Sequence, residues 1–400
     1  MTSTATRTAL LAFAALLFLN AVAGAKEEAY VLKNKQGLEA HILPVGAVVQ
    51  KLLLPDRHGN LDDVILGFAT EEPYKDGTSP YFGATIGRVA NRIKGAMFEL
   101  DGDIYHVDSN EGDNCLHGGK DGWSRQAWQM EAADTAEGPG ARLTYVSKDG
   151  EEGFPGTVSA SVMYTLRDDN DLVIQFAAVS DKPTPINMAQ HTYFNLDGHK
   201  SHHSINGHFL FVNASHYTPV DDEMIPTGEV LPVEDTVFSF NPARRIGERI
   251  RHVPGAPPGG YDINYVLFGM DGPTAKARTN NCVIFDKPQP AASIWSPKSG
   301  RTLDVLTNSP GLQFYSGNFL NGSIVGKDGY PYPQHGGFAL ETQVFPNSIN
   351  EPAFPQCILR PAQQYRHTVI WRFSTKPREY MRRRFKRAAM TKRGRKELPS

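Results

Sequence analysis

Alternation with a period of two is the feature of this sequence that most restricts its fold. In the stretch GTVSASVMYTL, residues 156–166, apolar side chains at even positions from Val158 to Tyr164 alternate with residues of the opposite face. This is the pattern of a half-buried strand. The polar run RDDND, residues 167–171, predicts a turn, and LVIQFAAVS, residues 172–180, predicts the returning strand. Residues 156–180 therefore predict an antiparallel hairpin.

Strand signals recur along the chain, and helical ones do not. FELDGDIYHV (98–107) carries Asp-Gly at a predicted hairpin turn, and three more short strands are expected in 37–55 and 61–68. A sustained 3.6-residue apolar period is found only near the two ends, and no glycine-rich loop opens onto a helix. A nucleotide-binding fold is therefore not indicated. With 40% hydrophobic residues and no composition break, residues 26–375 predict one all-β domain, a large antiparallel β-sandwich.

The first 25 residues predict a secretory signal peptide. Arg7 precedes an apolar run from about Ala9 to Leu19, and Ala23-Gly24-Ala25 fits a cleavage site for small residues. An uncleaved membrane anchor is the alternative, but the apolar run is short for a bilayer span. We therefore expect a secreted, extracellular protein.

The last 25 residues are strongly basic, although the whole chain has a formal net charge of only −2. Residues 376–400 contain 11 Lys or Arg and 2 Glu, which gives +9. Such a tail can bind an anionic surface, for example a cell-wall polymer or a membrane. The alternative is a solvated extension with no partner. We expect a monomer that binds no nucleic acid.

Cysteines and sequons bear on the predicted secretion. Three cysteines, Cys115, Cys282 and Cys357, leave at least one unpaired and do not form a disulfide framework. Whether Cys282 and Cys357 pair is open. Asn213 and Asn321 each begin an Asn-X-Ser sequon, and both stay open as glycan sites.

Polar clusters interrupt the strand pattern in several places. Taken singly, each has a plain alternative: His117, within the stretch NCLHGG, can be a turn residue, and a lone charged residue is usually on the surface. Asp262 and Glu341 could form the catalytic carboxylate pair of a glycosidase, but the sequence does not give the distance between the two carboxylates. His199, His202 and His203 match no metal-ligand spacing, so we expect a surface loop there. The candidates for chemistry are Asn91, Arg92, His117, His191, Asp262, Gln313 and Glu341.

Taken together, these clusters resemble the aldose 1-epimerase family, also called galactose mutarotases. The matching stretches follow the family's order from about residue 30 to residue 374. They are GRVANRI, NCLHGGKDGW, HTYFNLDGH, VDDEMIPTG, GGYDINYVL, GLQFYSGN and ALETQVFPNSIN. The resemblance implies a galactose mutarotase-like supersandwich with an open sugar-binding cleft. Ile263 departs from the histidine expected in many members.

The resemblance also implies a reaction and its residues. The family interconverts the α and β anomers of free hexoses such as glucose and galactose by opening and closing the ring. By resemblance, Glu341 is the base at the C1 hydroxyl, His191 is the acid at the ring oxygen, and His117 assists there. The reference pKa values suit an ionised glutamate facing a protonated histidine. Substrate-binding roles fall to Asn91, Arg92, Asp262 and Gln313.

This chemistry needs no metal, no cofactor and no covalent intermediate. It does need one base and one acid on opposite sides of the C1–O5 unit, and each positioned proton transfer contributes on the order of 10²–10⁴-fold. Three alternatives remain at this stage: an epimerase of phosphorylated sugars, a non-catalytic carbohydrate-binding or sensing protein, and a glycosidase or lyase on a similar sandwich.

Overall fold

The computed structural model describes residues 29–255, 259–267 and 287–375. The predicted signal peptide, the basic tail and Cys282 lie outside these residues, so the domain boundaries at residues 25 and 375 stay predictions. Cys357 takes part in a disulfide, and Cys115 is a free, buried thiol. Within the described ranges, no helix is long and apolar enough to cross a membrane.

The described residues are built almost wholly from strands. In the first half these are β1 (Tyr30–Lys33), β2 (Glu39–Leu43), β3 (Val48–Pro55), β4 (Leu61–Asp63), β5 (Ala84–Ile86), β6 (Arg92–Ile93), β7 (Met97–Leu100), β8 (Asp103–His106), β9 (Cys115–Leu116), β10 (Gln129–Ala132), β11 (Gly140–Ser147), β12 (Val158–Leu166) and β13 (Asp171–Ser180). In the second half they are β14 (Thr184–Pro185), β15 (Ala189–His191), β16 (Phe209–Val212), β17 (Ala214–Thr218), β18 (Leu231–Pro232), β19 (Arg244–Arg245), β20 (Asp262–Leu267), β21 (Gln289–Trp295), β22 (Arg301–Thr307), β23 (Gly311–Tyr315), β24 (Ala339–Gln343), β25 (Ile358–Leu359) and β26 (Tyr365–Thr375). The single α-helix in this part of the chain is one turn, α1 (Glu72–Lys75).

The largest sheet has nine antiparallel strands in the order β10-β11-β12-β13-β26-β22-β21-β16-β19. The hairpin predicted at residues 156–180 is β12–β13, with Val158 opposite Ser180 and Leu166 opposite Leu172. The even-numbered positions from 158 to 164 are buried, because they form the face turned to the core. The prediction of this hairpin is confirmed.

A second sheet has five strands in the order β18-β17-β20-β23-β24. It shares one hydrophobic core with the nine-stranded sheet, since Val162 and Trp371 of the large sheet belong to the same buried cluster as Phe314 and Leu340 of the small one. Full burial of one such side chain contributes roughly 1.5–3 kcal/mol. The predicted antiparallel all-β class is confirmed.

The predicted hairpin at residues 98–107 is also present, as β7–β8. Asp101 and Gly102 occupy its turn with φ values of 56° and 92°. Both central residues of a type I′ turn need positive φ, which is why Asp-Gly predicts this connection. β1 to β4 form a separate four-stranded sheet. Two short pairs, β5–β15 and β6–β9, have strands of two or three residues and carry residues of the candidate site.

Candidate active site

Three neighbouring strands place polar side chains on one face of the five-stranded sheet. Gln313 on β23 lies directly opposite Glu341 on β24, and opposite Asn264 on β20. Directly opposite residues share a face, and so does Asp262, two positions before Asn264. Gln313 Nε2 donates to Asp262 Oδ1 at 2.6 Å. The register of these strands therefore gathers three of the predicted site residues, which lie far apart in sequence.

His191 reaches the same place from a different sheet. It ends β15, which pairs with β5, and its Nε2 lies 3.5 Å from Glu341 Oε1. Tyr193 stacks on the imidazole, with ring centroids 5.0 Å apart. His191 Nδ1 and Glu341 Oε2 are buried and have no hydrogen-bond partner within the described part of the chain. Unpaired buried polar atoms are costly, so these two are candidates to meet a polar ligand.

His117 lies against His191, with ring centroids 5.1 Å apart. Its backbone pairs with that of Asn91, because His117 N donates to Asn91 O at 3.0 Å. Asn91 N in turn donates to His117 Nδ1 at 3.2 Å. Since Nδ1 accepts, the proton of the neutral ring is on Nε2. His117 can therefore donate one hydrogen bond from Nε2.

The glycines after His117 let the backbone pack closely. A Cβ on Gly118 would collide with the carbonyl oxygen of Gly87, and one on Gly119 would collide with the Glu152 carboxylate. Gly118 also has a φ of 87°, a conformation that favours glycine. The two glycines thus hold the loop against its neighbour while His117 faces His191.

Arg92 lies on β6, which pairs with β9 of the segment that carries His117. Its guanidinium donates to Glu111 twice, from Nε at 2.5 Å and from Nη2 at 2.7 Å. The arginine is buried, and the Asp262 and Glu341 carboxylates also act on its charge. Asn91 Oδ1 accepts from the Arg92 backbone N at 2.9 Å, so this part of Asn91 is already engaged. The structure brings all seven predicted residues into one region.

Burial is the largest cause of the pKa shifts of Glu341, His191 and His117. It raises the pKa of Glu341 well above the usual carboxyl value, and the nearby Asp262 carboxylate raises it further while Arg92 opposes both. Burial lowers the pKa of His191 to about 4. Burial also lowers the pKa of His117, with smaller effects from His191 and Arg92. These shifts favour the neutral forms of both groups, whereas the reference pKa values led us to expect an ionised Glu341 facing a protonated His191.

A sequence model of the family described as aldose 1-epimerase matches residues 28–372. The chain belongs to the aldose 1-epimerase family. The galactose mutarotase of Homo sapiens is 40% identical over 337 residues, covering 84% of this chain and 91% of that protein. The aldose 1-epimerase of Escherichia coli K12 is 35% identical over 345 residues, covering 86% and 94%.

Solved structures of aldose epimerases have the same fold. An aldose epimerase homologue from C. elegans aligns with a TM-score of 0.77 at 31% identity, over 88% of this chain and all of that one. A galactose 1-epimerase from Lactobacillus acidophilus aligns with a TM-score of 0.72 at 27% identity, over 90% and 98%. The predicted galactose mutarotase-like sandwich is thereby confirmed.

One trio in this aldose 1-epimerase has the composition of a metal site. Among the described residues, the ligand atoms of His117, His191 and Glu341 lie within 4.8 Å of one another. His117 fits a metal poorly, because Nδ1 already accepts from Asn91 and Nε2 carries the proton. Neither nitrogen offers a free lone pair. The trio is better suited to hydrogen-bonding the hydroxyls and ring oxygen of a sugar.

Sequence reasoning missed three residues of this epimerase site. Tyr81 lies 4.6 Å from the His117 ring and 5.7 Å from the His191 ring, and Glu111 holds Arg92. Neither has a local signal that marks it. Tyr193 could have been found, because it lies two residues after His191.

The histidine cluster lies elsewhere in the epimerase fold. His202 and His203 are exposed, as expected for a surface loop. The expectation is wrong for His199, which is buried with Nδ1 3.3 Å from the Tyr332 hydroxyl. Tyr332 also bonds the Gly67 carbonyl, so His199 belongs to a buried structural network.

Proposed function

We propose that this aldose 1-epimerase interconverts the α and β anomers of free hexoses such as glucose and galactose. The observation that carries the proposal is the contact of 3.5 Å between Glu341 and His191. Each of the two also has a further buried atom with no hydrogen-bond partner among the residues that the structure describes. A carboxyl and an imidazole at this separation can exchange protons with two oxygens of one sugar. The names of the relatives support the same activity.

The reaction needs two coupled proton transfers. Glu341 takes the proton of the C1 hydroxyl while His191 gives a proton to the ring oxygen, and the C1–O5 bond breaks. Rotation about C1–C2 presents the other face of the aldehyde. Closure reverses both transfers, so Glu341 returns its proton and His191 recovers one. Atoms and charges balance without any further reactant.

The directions of the two pKa shifts fit this cycle. The start requires one proton on His191 and none on Glu341, and the open-chain stage requires one on Glu341 and none on His191. Both states hold one proton between the two residues. Because burial favours the neutral pair, it favours the proton arrangement of the open-chain stage. Sugar oxygens entering the site restore solvation of the charged forms, so binding and proton transfer are coupled.

The other predicted residues would bind the sugar. Arg92 and Asp262 offer a cation and a carboxylate, and Gln313 already donates to Asp262. Sugar hydroxyls both donate and accept, so they match such mixed groups. Asn91 supplies a side-chain amide beside Arg92. His117 Nε2 can donate to the ring oxygen, which holds the sugar while His191 transfers its proton.

The test is polarimetry on freshly dissolved α-D-glucose and α-D-galactose. We expect the protein to accelerate the decay of rotation and Glu341→Gln to lose roughly 10²–10⁴-fold in kcat. Glu131→Gln, an exposed position on β10, is the matched control and should keep full activity. Equal rates for wild type and Glu341→Gln would remove Glu341 from the mechanism. A folded protein that accelerates neither sugar would contradict the proposed activity.

We further propose that residues 1–25 direct secretion and that residues 376–400 bind an anionic surface. The charge of +9 in the tail supports salt-sensitive binding of this kind. Sequencing the N-terminus of protein recovered from the medium tests the first proposal. Retention on anionic vesicles, with and without the tail, tests the second. We also propose that the protein acts as a monomer, which sedimentation measures directly.

A further inference from the structure

An aromatic ring is exposed in the loop that follows β23. Phe319 is 65% exposed. The ring is nevertheless held in place. It stacks on Tyr315 with centroids 6.4 Å apart and an interplanar angle of 24°, and Phe319 N donates to the Tyr315 hydroxyl at 3.0 Å. The loop therefore presents a fixed apolar face to solvent.

The next residues place an amide beside that ring. Leu320 is only 3% exposed, whereas Asn321 is exposed. Phe319 lies in a turn closed by Leu320 N, which donates to Gly317 O at 3.3 Å. Phe319 and Asn321 are two positions apart and both exposed, so both side chains lie on the solvent side of this loop. The sequence FLNGS, residues 319–323, makes Asn321 the first residue of an Asn-X-Ser sequon.

The local hydrogen bonds orient the Asn321 carboxamide. Ser323 donates to Asn321 Oδ1 from its backbone N at 3.0 Å and from its hydroxyl at 2.6 Å. The oxygen is thereby engaged on the protein side. Gly322 has a φ of 86° and nothing within 4 Å of its Cβ position, so the turn is open on its outer side. The arrangement leaves Nδ2 available for a substituent.

We propose that Asn321 carries an N-linked glycan whose first N-acetylglucosamine lies against the exposed ring of Phe319. In the step that attaches it, Asn321 Nδ2 forms a bond to C1 of the sugar on a polyprenyl diphosphate donor. The bond from C1 to the diphosphate oxygen breaks, the diphosphate leaves, and the amide loses one proton. The proposal rests on the secretory route that residues 1–25 predict, and not on the epimerase activity.

The physical reason for the contact is the apolar face of a pyranose ring. Its C–H groups carry slight positive charge and meet the negative face of a phenyl ring favourably. Contact also removes exposed apolar area of Phe319 from water. Because Tyr315 already fixes the ring, little side-chain entropy is lost when the sugar packs on it.

The other sequon has the same spacing and a different structure. FVNAS, residues 211–215, also places a phenylalanine two residues before the asparagine. Phe211 is half-buried in β16, and Asn213 Nδ2 donates to the Pro290 carbonyl at 3.0 Å. The Ser215 hydroxyl contacts its neighbour His216 at 2.9 Å. The contact between ring and glycan is therefore expected at Asn321 only.

Site occupancy is the first measurement. The full chain is expressed in a eukaryotic secretory host, and enzymatic glycan release in heavy-oxygen water marks each occupied asparagine for peptide mass spectrometry. We expect Asn321 to be occupied in the secreted protein. Secreted protein with an unmodified Asn321 would overturn the proposal. Protein retained in the cell with an intact N-terminus would overturn its secretory premise.

A double-mutant cycle then tests the contact itself. Melting temperatures are compared for wild type, Phe319→Ala, Asn321→Gln and the double variant, all made in the same host. We expect loss of the glycan to lower Tm by about 2 °C with Phe319 present and not to lower it with Ala there. The Phe211→Ala and Asn213→Gln cycle is the matched control, with no coupling. Additive effects in the Phe319 cycle would contradict the contact.

A third measurement tests whether Phe319 contacts a substrate sugar and not a glycan. Phe319 could instead meet the second sugar of a disaccharide entering the site. Phe319→Ala is therefore assayed by polarimetry on lactose and on glucose. Unchanged KM for both supports the glycan, whereas a raised KM for lactose alone, without Tm coupling, would reassign the ring to substrate.

Discussion

At the scale of residues, the opposed pKa shifts of Glu341 and His191 predict which of the two residues limits activity on each side of the pH profile. The active pair holds one proton. Acid adds a second proton to His191, whose pKa is lowered to about 4, and alkali removes the last proton from Glu341, whose pKa is raised. Activity should therefore fall below about pH 4 and again above the raised pKa of Glu341. Because the two groups interact, the two apparent pKa values read from the profile describe the Glu341–His191 pair and not either residue alone.

The profile of kcat/KM against pH, measured by polarimetry with the uncatalysed rate subtracted, checks this. The alternative assignment, with an ionised Glu341 limiting in acid and a protonated His191 limiting in alkali, predicts a narrow optimum between ordinary carboxyl and imidazole values. A bell centred near pH 5 to 6, with half-maxima about 2 pH units apart, would support that alternative.

The raised pKa of Glu341 also means that this residue, once ionised, lowers the free energy of unfolding. Its folded-state pKa is raised, so the unfolded chain binds fewer protons above the ordinary carboxyl pKa. Stability is therefore present in acid and lost as pH rises through the folded pKa. We expect Glu341→Gln to raise the free energy of unfolding at pH 8 by on the order of 1 kcal/mol or more, and less at pH 5. Urea titrations at the two pH values measure it, and equal effects at both would contradict the shift.

Glu111 acts through Arg92 and is a positioning residue. Its carboxylate receives two guanidinium hydrogen bonds and draws the arginine charge away from Asp262 and Glu341. We expect Glu111→Gln to lower kcat/KM by roughly 10-fold, mainly through KM. The alkaline limb should also move to lower pH, because the released arginine stabilises ionised Glu341.

Polarimetry across pH separates this role from a structural one. Glu223→Gln is the control, since Glu223 holds the same loop through Asn114 without touching Arg92. A loss of kcat/KM in Glu111→Gln without any movement of the alkaline limb would mean that Glu111 serves only to fold the loop.

Part of the site could be predicted from the sequence. His191 and Glu341 lie in stretches that resemble the family, and their residue types fit the chemistry. Their charge states could not be predicted, because reference pKa values ignore burial. Glu111 and Tyr81 could not be found either, since their importance comes only from contacts with distant residues.

At the scale of elements, the turn after His117 is the most sensitive to substitution. Gly118→Ala would combine a positive φ with a collision against the Gly87 carbonyl. We expect it to lower the free energy of unfolding by about 2–4 kcal/mol and to reduce kcat/KM by displacing His117. Gly102→Ala is the matched control, because Gly102 has a φ of 92° with nothing within 4 Å of its Cβ position. It should cost about 1–2 kcal/mol and leave activity intact.

Denaturant titration and polarimetry of the two variants test this. Equal stability losses would show that φ alone matters at Gly118 and that the close approach does not.

Strand length determined which elements could be predicted. The β12–β13 hairpin extends over enough residues for alternation to show, and Asp-Gly marks the β7–β8 turn. The strands that carry Arg92 and His191 are two or three residues long. An alternation with a period of two cannot be recognised over so few positions. These strands are therefore identified only by their pairing in the structure.

At the scale of the whole molecule, the site depends on tertiary packing. His191 lies on the β5–β15 pair and Glu341 on the five-stranded sheet, and the two meet only when these units pack together. Alternation predicts strands but does not predict their order in a sheet. The nine-stranded order, with β26 between β13 and β22, therefore had no signal in the sequence.

The end of β26 predicts where the chain can be shortened. A variant that stops after residue 375 keeps all of β26, and we expect kcat/KM within twofold of wild type. A variant that stops after residue 364 lacks β26 and leaves β13 and β22 without their shared neighbour. Circular dichroism and gel filtration should show that the second variant is unfolded or aggregated. A soluble, active protein ending at 364 would contradict this reading of the sheet.

The position of β26 also has a consequence for biosynthesis. The strand at the middle of the large sheet is the last one of the described chain to leave the ribosome. Until it arrives, β13 and β22 of the nascent chain expose unpaired edges that can bind other chains. A late nonsense codon would therefore produce an aggregating polypeptide and not a slightly shorter enzyme, and newly made chains would depend on chaperones until translation is almost complete.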